Sequence, residues 1–217
     1  STPSSDVYFT NDPKYVIKYN YDPKKAIELL EKEGWKLGTD GIRIKDGKRL
    51  SFYLMTTAGN KTRENVQSYL MEKWKQIGAE VIIKNEPPRV LFGDTLQKRK
   101  YQGLVLYTTG SAPGENPAVY LHGRNIPTAK NSYSGQNYTG YDKASANKIL
   151  DAFKTEFNLE KRKQLMKEFA KEVSNDLPTL PLFYRADISI TPANLKNYQL
   201  TGHIYVDTNN VEKWTLE

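Results

Sequence analysis

The chain has 217 residues, with 32 Lys and Arg against 25 Asp and Glu, and it contains two histidines and no cysteine. A chain of this length forms one large or two small domains and buries a sizeable core. The lack of cysteine excludes a disulfide framework, a cysteine nucleophile and a thiolate metal site, and two histidines argue against a multi-histidine metal centre. Its apolar runs are all far shorter than the roughly 20 residues of a membrane-spanning helix.

The net charge of +7 permits a nucleic-acid partner, but the arrangement of the charges argues against one. Lysines alternate with acidic residues in stretches such as 24–28 and 160–163, a pattern typical of solvated helix faces. The densest basic run, 98–100, is too short to form a basic tract. We therefore expect a Lys-rich surface and no nucleic-acid partner.

The chain opens with a turn-rich segment, residues 1–20, which we expect to be irregular. The first helix is predicted to begin at Pro23, with Asp22 as its N-cap, and to end at Gly34. The Asp46-Gly47 pair that follows is a signal for a two-residue hairpin turn.

The next stretch has the pattern of a βαβ unit. An apolar strand at 50–57 precedes a helix capped by Asn60 or Thr62, which Gly78 ends, and a β-branched strand at 80–84 follows. This order predicts parallel strands joined by a right-handed crossover.

The remaining elements are predicted from the same periodicities. We expect a helix at 89–98, a strand at 103–107, and two helices at 144–154 and 159–174, the last capped by Asn158. An extended apolar segment at 177–184 contains prolines that restrict it to a strand start or a sheet edge. A further strand is predicted at 187–191, and Tyr205 and Trp214 are expected to anchor the polar tail.

Residues 108–143 form a long polar segment, rich in Gly, Pro, Asn, Ser and Tyr, with a short helix expected near 117–122. Such segments inside a domain are usually functional or disordered. The tyrosines suit a ligand-binding rim, because each joins a flat apolar face to a hydroxyl, although we expect two or three of them to pack beneath the segment. His122, at the end of this short helix, is either bonded to the backbone or in contact with a ligand.

The usual catalytic motifs are missing. The chain has no phosphate-binding loop, no dinucleotide fingerprint and no nucleophile elbow. The acidic residues Glu115 and Asp142 lie in or beside the polar segment and leave open a carboxylate-dependent hydrolase as an alternative.

Five stretches, in order along the chain, carry the patterns of one family. They are 21–35 (YDPKKAIELLEKEGW), 41–50 (GIRIKDGKRL), 59–81, 137–141 (NYTGY) and 176–184 (DLPTLPLFY). Together they resemble the peptide-type (family 5) extracellular solute-binding proteins of ABC importers. In that family two lobes close around a ligand, and members are well over twice this length.

The resemblance implies an α/β fold, the C-terminal lobe of a type II periplasmic-binding-protein fold, with a mixed sheet flanked by helices. Residues 1–20 would then be a lead-in from a preceding lobe, 21–191 the ligand-binding lobe and 192–217 a tail that packs back on it. The chain begins without Met and shows no signal peptide, which suggests a processed or excised chain.

The resemblance also implies ligand binding without catalysis, cofactor or metal. The expected ligand-binding residues lie in or beside the polar segment: Tyr107, Thr108, Thr109, Asn116, Tyr120, His122, Asn137, Tyr138 and Tyr141. Thr108 and Thr109 stand where the family usually has a Trp and often an Asp that meets the peptide amine, and Asn147 replaces a usual Asp. The ligand is therefore expected to be an atypical peptide or another small solute.

The partners implied are this ligand, the transmembrane subunits of an ABC permease and the missing N-terminal lobe. The implied location is extracytoplasmic, in the periplasm or lipid-anchored on the outer face of the cell membrane. A surface interaction domain that kept the fold and lost transport is a further alternative.

Overall fold

The structure, a computed structural model, describes residues 7–110, 114–184, 188–200 and 207–217. Contacts within the chain divide it into two compact units. The sheet unit comprises residues 19–108 and 127–138, and the helical unit comprises residues 1–18, 109–126 and 139–217. Each unit is thus assembled from segments that are distant in sequence. The part boundaries expected after residues 20 and 191 remain predictions.

The sheet unit begins with helix α1 (Pro23–Lys32), as the capping pattern predicts. The Asp22 side chain accepts a hydrogen bond from the backbone N–H of Lys25 at 2.9 Å, and so satisfies one of the amide donors left open at a helix start. Gly34 follows the helix with a φ of +88°, a left-handed conformation that glycine adopts without a steric penalty.

A small antiparallel sheet follows α1. Its strands are β1 (Lys36–Leu37), β2 (Arg43–Lys45) and β3 (Lys48–Arg49). Asp46 and Gly47 connect β2 to β3 and both have positive φ, which confirms the predicted two-residue turn. Arg43 is 3% exposed, and its guanidinium donates to the backbone oxygens of Trp35 and Ile77, each at 2.8 Å. This side chain ties the hairpin to two other segments of the unit.

The predicted βαβ unit is confirmed. It consists of β4 (Ser51–Met55), α2 (Lys61–Lys75) and β5 (Glu80–Ile83), and β4 pairs with β5 in parallel. A third strand, β6 (Leu104–Val105), pairs in parallel with the other side of β4, so the strand order is β5-β4-β6. Of the two predicted caps of α2, Asn60 does the capping, because its side chain accepts from the backbone N–H of Arg63 at 3.1 Å.

The helix predicted at 89–98 is only partly α-helical. It consists of one short α-helical turn, α3 (Pro88–Val90), followed by a π-helix at Leu91–Leu96. Leu91 and Leu96 are 0% and 1% exposed and form a core cluster with Met55 of β4. Residues five apart are hydrogen-bonded neighbours in a π-helix, so this winding lets both leucines face the core. Their burial, which the local sequence does not reveal, accounts for the difference.

The helical unit contains one short helix, α4 (Ala118–Leu121), and two long ones, α5 (Ala144–Thr155) and α6 (Leu159–Asp176), where the sequence predicts them. The Asn158 side chain caps α6 by accepting from the backbone N–H of Lys161 at 3.1 Å. Their apolar faces form a core cluster of Ala118, Leu121, Ala146, Leu150, Phe153, Met166 and Phe169. Removing these side chains from water stabilises the unit.

The segment after α6 differs from its prediction. Leu177 has a left-handed backbone conformation, and residues 177–184 form no strand in the described structure. Pro178 and Pro181 lack the N–H that a strand ladder needs, which is consistent with this result. Within the strand predicted at 187–191, residue 187 lies outside the described residues and the others are not in a strand.

The tail is held by aromatic and amide contacts. β7 (Leu195–Lys196) and β8 (Thr215–Leu216) pair antiparallel. Trp214 contacts other residues of the tail, because its ring meets that of Tyr198 edge-on at 5.2 Å and its Nε1–H donates to Asn210 Oδ1 at 2.9 Å. That it anchors the tail to the lobe stays a prediction. Tyr205, the other predicted anchor, lies outside the described residues. Across the described parts of the chain, no helix is both long and apolar enough to cross a membrane.

Candidate ligand-binding site

The predicted ligand-binding residues fall into two groups. The sheet unit holds Tyr107, Thr108, Asn137 and Tyr138. The helical unit holds Thr109, Asn116, Tyr120, His122 and Tyr141. The two groups therefore belong to different units.

In the sheet unit, two residues of the first group lie at the carboxyl end of β6. Tyr107 and Thr108 follow this strand directly, and Thr108 is exposed. The Tyr107 ring meets Phe92 edge-on, with 6.0 Å between the ring centroids. The carboxyl edge of a parallel sheet is the usual place for a ligand in an open α/β fold, because the loops that leave the strands meet there. This edge is therefore the candidate site of the sheet unit.

A buried polar network lies beneath this edge. Thr56, which is 0% exposed, donates its hydroxyl to the backbone oxygen of Leu106 at 2.6 Å. Its backbone N–H donates to Asn85 Oδ1 at 3.1 Å. Gln67 exchanges amide hydrogen bonds with Asn85 at 2.9 and 3.0 Å and donates to the backbone oxygen of Leu54 at 2.8 Å. The network thus joins the carboxyl ends of β4, β5 and β6.

Sequence reasoning missed this network, although one signal was available. Gln67 lies three residues before Leu70 and seven before Trp74, two apolar residues at helical spacing in α2. A polar residue at that spacing is on the buried stripe and needs internal hydrogen-bond partners. Which partners it finds depends on the strands packed against the helix.

Tyr138 fastens the segment 127–138 to the rest of the sheet unit. Its backbone oxygen accepts from the Tyr101 hydroxyl at 2.7 Å and from Arg99 Nε at 3.1 Å. Its own hydroxyl donates to Gln97 Oε1 at 3.2 Å, and burial raises the pKa of this hydroxyl. Asn137 beside it is 0% exposed. Both residues therefore have a packing role, whether or not they also meet a ligand.

In the helical unit, Asn116 and His122 hold the backbone around α4. Asn116 Oδ1 accepts from the backbone N–H of Ala118 at 2.9 Å. His122 Nδ1 accepts from the backbone N–H of Arg124 at 3.1 Å, and its Nε2 lies 3.3 Å from Asp151 Oδ1. His122, followed by Arg124, lowers the pKa of the Asp151 carboxyl. The geometry thus agrees with the backbone-bonded alternative for His122.

Tyr141 is tied to the end of α6. Its hydroxyl donates to Asp176 Oδ2 at 2.8 Å, and burial together with this carboxylate raises its pKa. Lys143 Nζ lies 2.8 Å from the same oxygen and 2.6 Å from Glu172 Oε2. Lys143 is the main cause that lowers the pKa of Asp176 to about 2. Tyr141 and the half-buried Tyr120 also pack against the core cluster of the unit.

Asp142, half of the carboxylate pair considered above, is held by an amide. Asn147 Nδ2 donates to Asp142 Oδ1 at 2.7 Å, while Asn147 Oδ1 accepts from the backbone N–H of Gly123 at 3.0 Å. A side chain at Gly123 would collide with the Asp142 carboxylate, so a larger residue there would require that carboxylate to move. These two bonds account for Asn at position 147. An Asp there would lack the N–H that donates to Asp142 and would repel the Asp142 carboxylate.

Thr109, like Thr108, is exposed. Among the described residues, no group of three or more His, Asp and Glu side chains is arranged to hold a metal ion.

The chain is similar to known solute-binding proteins. A family model described as "Bacterial extracellular solute-binding proteins, family 5 Middle" matches residues 1–128. The oligopeptide-binding protein AppA of Bacillus subtilis is 30% identical over 214 residues, which cover 93% of this chain and 36% of AppA. The nickel-binding periplasmic protein of Escherichia coli is 25% identical over 179 residues, covering 82% of this chain and 33% of that protein.

Solved structures of solute-binding proteins also match this chain. AppA in complex with a nonapeptide matches all of this chain with a TM-score of 0.80 and 26% identity, over 41% of its own length. The oligopeptide-binding protein of Thermus thermophilus, complexed with a pentapeptide, matches 91% of this chain with a TM-score of 0.80 and 32% identity, over 34% of its own length. These matches confirm the predicted fold class.

The chain spans between a third and about two fifths of the length of these relatives. Within the part matched, the order of motifs, the parallel βαβ unit and the fold agree with the family seen in the sequence. The chain belongs to the bacterial extracellular solute-binding proteins of family 5.

Proposed function

We propose that this chain is one lobe of the substrate-binding component of an ABC importer. The whole receptor captures a peptide or a similar small solute between two lobes and delivers it to a membrane permease. The observation that carries this proposal is the match to AppA with its nonapeptide over the full length of the chain. The structure with a pentapeptide, at 32% identity, supports the same ligand class.

The ligand-binding role is assigned to the carboxyl edge of the parallel sheet and to the start of the polar segment. Tyr107 and Thr108 leave β6 at this edge, Thr109 is next in sequence, and both threonines are exposed. Asn116 and Tyr141 make internal hydrogen bonds to Ala118 and Asp176, so they are assigned to shaping the backbone and core of the helical unit. Exposed hydroxyls beside an aromatic ring suit a peptide backbone, which offers both donors and acceptors.

The receptor is proposed to act outside the cytoplasm, in the periplasm or anchored by a lipid, and to work without catalysis. Its partners are the ligand, the second lobe and the transmembrane subunits of the permease. Hinge closure of the two lobes sequesters the ligand. Since each lobe supplies part of the site, the 217-residue chain alone binds the ligand more weakly than the full receptor does.

Calorimetric titration of the full receptor with a peptide library tests the function. The expected result is binding by some peptides and weaker binding by the isolated chain. Lack of binding to every peptide and small solute tested would refute the proposal. Hydrolysis of peptides, esters or glycosides by the receptor would instead favour the enzyme alternative.

A pair of substitutions tests the site. Thr108→Val removes one hydroxyl at the carboxyl end of β6, and we expect about a 5-fold to 10-fold loss of peptide affinity, as for one hydrogen bond. Thr39→Val removes an equally exposed hydroxyl before β2 in the same unit and is expected to leave affinity unchanged. Equal affinities of the two variants would place the ligand elsewhere.

A further inference from the structure

The excess positive charge of the chain belongs to one unit. Residues of the sheet unit include 18 Lys and Arg against 11 Asp and Glu, whereas those of the helical unit include 14 of each. The net charge of +7 is therefore that of the sheet unit alone. A charge imbalance confined to one part of a protein points to an anionic partner for that part.

Within the sheet unit, the small antiparallel sheet places like charges together at one end. Lys45 and Lys48 are directly opposite each other, next to the tight turn, so their side chains share one face of the sheet. Lys36 on β1 opposes Ile44, one position from Lys45, so it lies near the same end on the other face. We call Lys36, Lys45 and Lys48 the lysine end of this sheet.

Asp46, in the turn between Lys45 and Lys48, offsets one charge of the lysine end without forming an ion pair, and three other acidic residues nearby pair with arginines. Glu31 pairs with Arg43 at 3.2 Å, and Asp40 and Glu80 both pair with Arg49. Within the described residues, no carboxylate lies at ion-pairing distance from the three lysines. The arginines of the hairpin are thus engaged inside the unit, and the lysines carry the unbalanced charge.

The difference between these arginines and lysines indicates the kind of partner. Arginine makes the bidentate contacts that read individual phosphates and bases, and here Arg43 and Arg49 are bound to carboxylates. Lysine acts as a hydrated point charge, which suits diffuse attraction to a surface of many negative charges. The sheet end has lysines on both faces and a tight turn between its strands. This arrangement suits contact of the turn with a flat anionic surface better than binding along a nucleic-acid strand.

We propose that the lysine end docks on a membrane surface that contains anionic phospholipids. This inference goes beyond the proposed function, because peptide binding does not require it. For a receptor that serves a membrane permease, such docking raises the local concentration near the membrane. Each lysine near an anionic bilayer contributes about 1 kcal/mol, and the attraction decays within about 10 Å at ordinary salt.

Vesicle co-sedimentation of the 217-residue chain tests the proposal. The probes are vesicles of phosphatidylcholine with and without phosphatidylglycerol, at low and at high salt. We expect binding only to the anionic vesicles, and weaker binding at high salt. The triple variant Lys36→Gln, Lys45→Gln, Lys48→Gln is expected to lower the partition coefficient by about 100-fold, which is about 5-fold for each charge.

A matched control removes the same number of charges elsewhere. Lys148, Lys154 and Lys171 are exposed residues of the helical unit, and their replacement by Gln is expected to change the partition coefficient by less than about 3-fold. Equal losses in the two triple variants would overturn the proposal, because they would show a response to net charge alone. Failure of the unaltered chain to bind anionic vesicles, or tighter binding to duplex DNA at the same salt, would also overturn it.

Folding and ligand binding are measured on the same variants. Both triple variants are expected to keep the far-ultraviolet circular dichroism of the unaltered chain. In the full receptor, peptide affinity is expected to be unchanged by the lysine-end substitutions. A loss of peptide affinity without a loss of vesicle binding would overturn the docking role and leave the proposed function standing.

Discussion

Replacing Gln67 by Leu removes the centre of the buried network that joins the three parallel strands. The Gln67 side chain is 1% exposed and makes three hydrogen bonds, of 2.8 to 3.0 Å, to Leu54 and Asn85. Leucine has a similar volume and keeps the apolar contacts, so the loss of stability comes mainly from the lost hydrogen bonds. Each buried bond contributes about 1 kcal/mol, and leaving the Asn85 amide without its partner costs about 1–3 kcal/mol more. We expect a total loss of about 4–6 kcal/mol in the free energy of unfolding.

The loss is measured by urea denaturation with tryptophan fluorescence. The sheet unit contains Trp35 and Trp74, so a background in which Trp214 is replaced by Phe restricts the signal to that unit. With a urea dependence of about 2 kcal/mol per molar, the midpoint falls by roughly 2–3 M. Gln102→Leu, at an exposed position of the same unit, is the control and is expected to change stability by less than about 0.5 kcal/mol.

A double-mutant cycle sharpens the test. The cycle adds the variant Asn85→Leu and the double variant Gln67→Leu, Asn85→Leu. We expect a coupling free energy of about 1–3 kcal/mol, because the side-chain amides of the two residues donate hydrogen bonds to each other. If Gln67→Leu were no more damaging than Gln102→Leu, the network would not stabilise the sheet edge and the reasoning would be wrong.

Three further predictions concern charge and capping. Lys48→Glu places an opposite charge across from Lys45, so we expect a gain of roughly 0.2–1 kcal/mol in unfolding free energy, and a loss of stability would contradict the cross-strand repulsion. Lys143 holds the pKa of Asp176 at about 2, below its ordinary value of 3.8, so its contribution is present above about pH 4 and is lost as the pH falls towards 2. Replacement of Asp176 by Asn should therefore reduce the pH dependence of the urea midpoint between those values, and an unchanged slope would refute the ion pair. Asn60→Ala removes the cap of α2 and should cost about 1 kcal/mol by the same denaturation assay, whereas no measurable cost would show that water replaces the cap.

Local chemistry was enough to predict most of the helices. Asp22, Asn60 and Asn158 cap the helices that their positions predict, and each does so with a side-chain oxygen 2.9 to 3.1 Å from a backbone N–H. The Asp46-Gly47 turn was equally predictable. In each case the deciding interaction lies within a few residues, so the sequence contains all of the information.

The candidate site was less predictable. The polar segment and its tyrosines were identified, but the hydrogen bonds that hold Tyr138 and Tyr141 come from residues 35 to 41 positions away. No local pattern assigns Asp176 to Tyr141 or Gln97 to Tyr138. Their roles as packing residues emerged only when those distant partners were in place.

By itself, the sequence determined the family, the parallel βαβ order and most of the helix boundaries, because motif order, capping and hydrophobic period are carried by neighbouring residues. Tertiary structure decided the π-helix at Leu91–Leu96, the partners of Gln67 and the pairing of Glu31 and Asp40 with arginines rather than with the lysine end. The physical reason is common to all three. Burial selects a helix winding, low polarity forces a buried amide to find a partner, and ion pairs form between residues that only folding brings within reach.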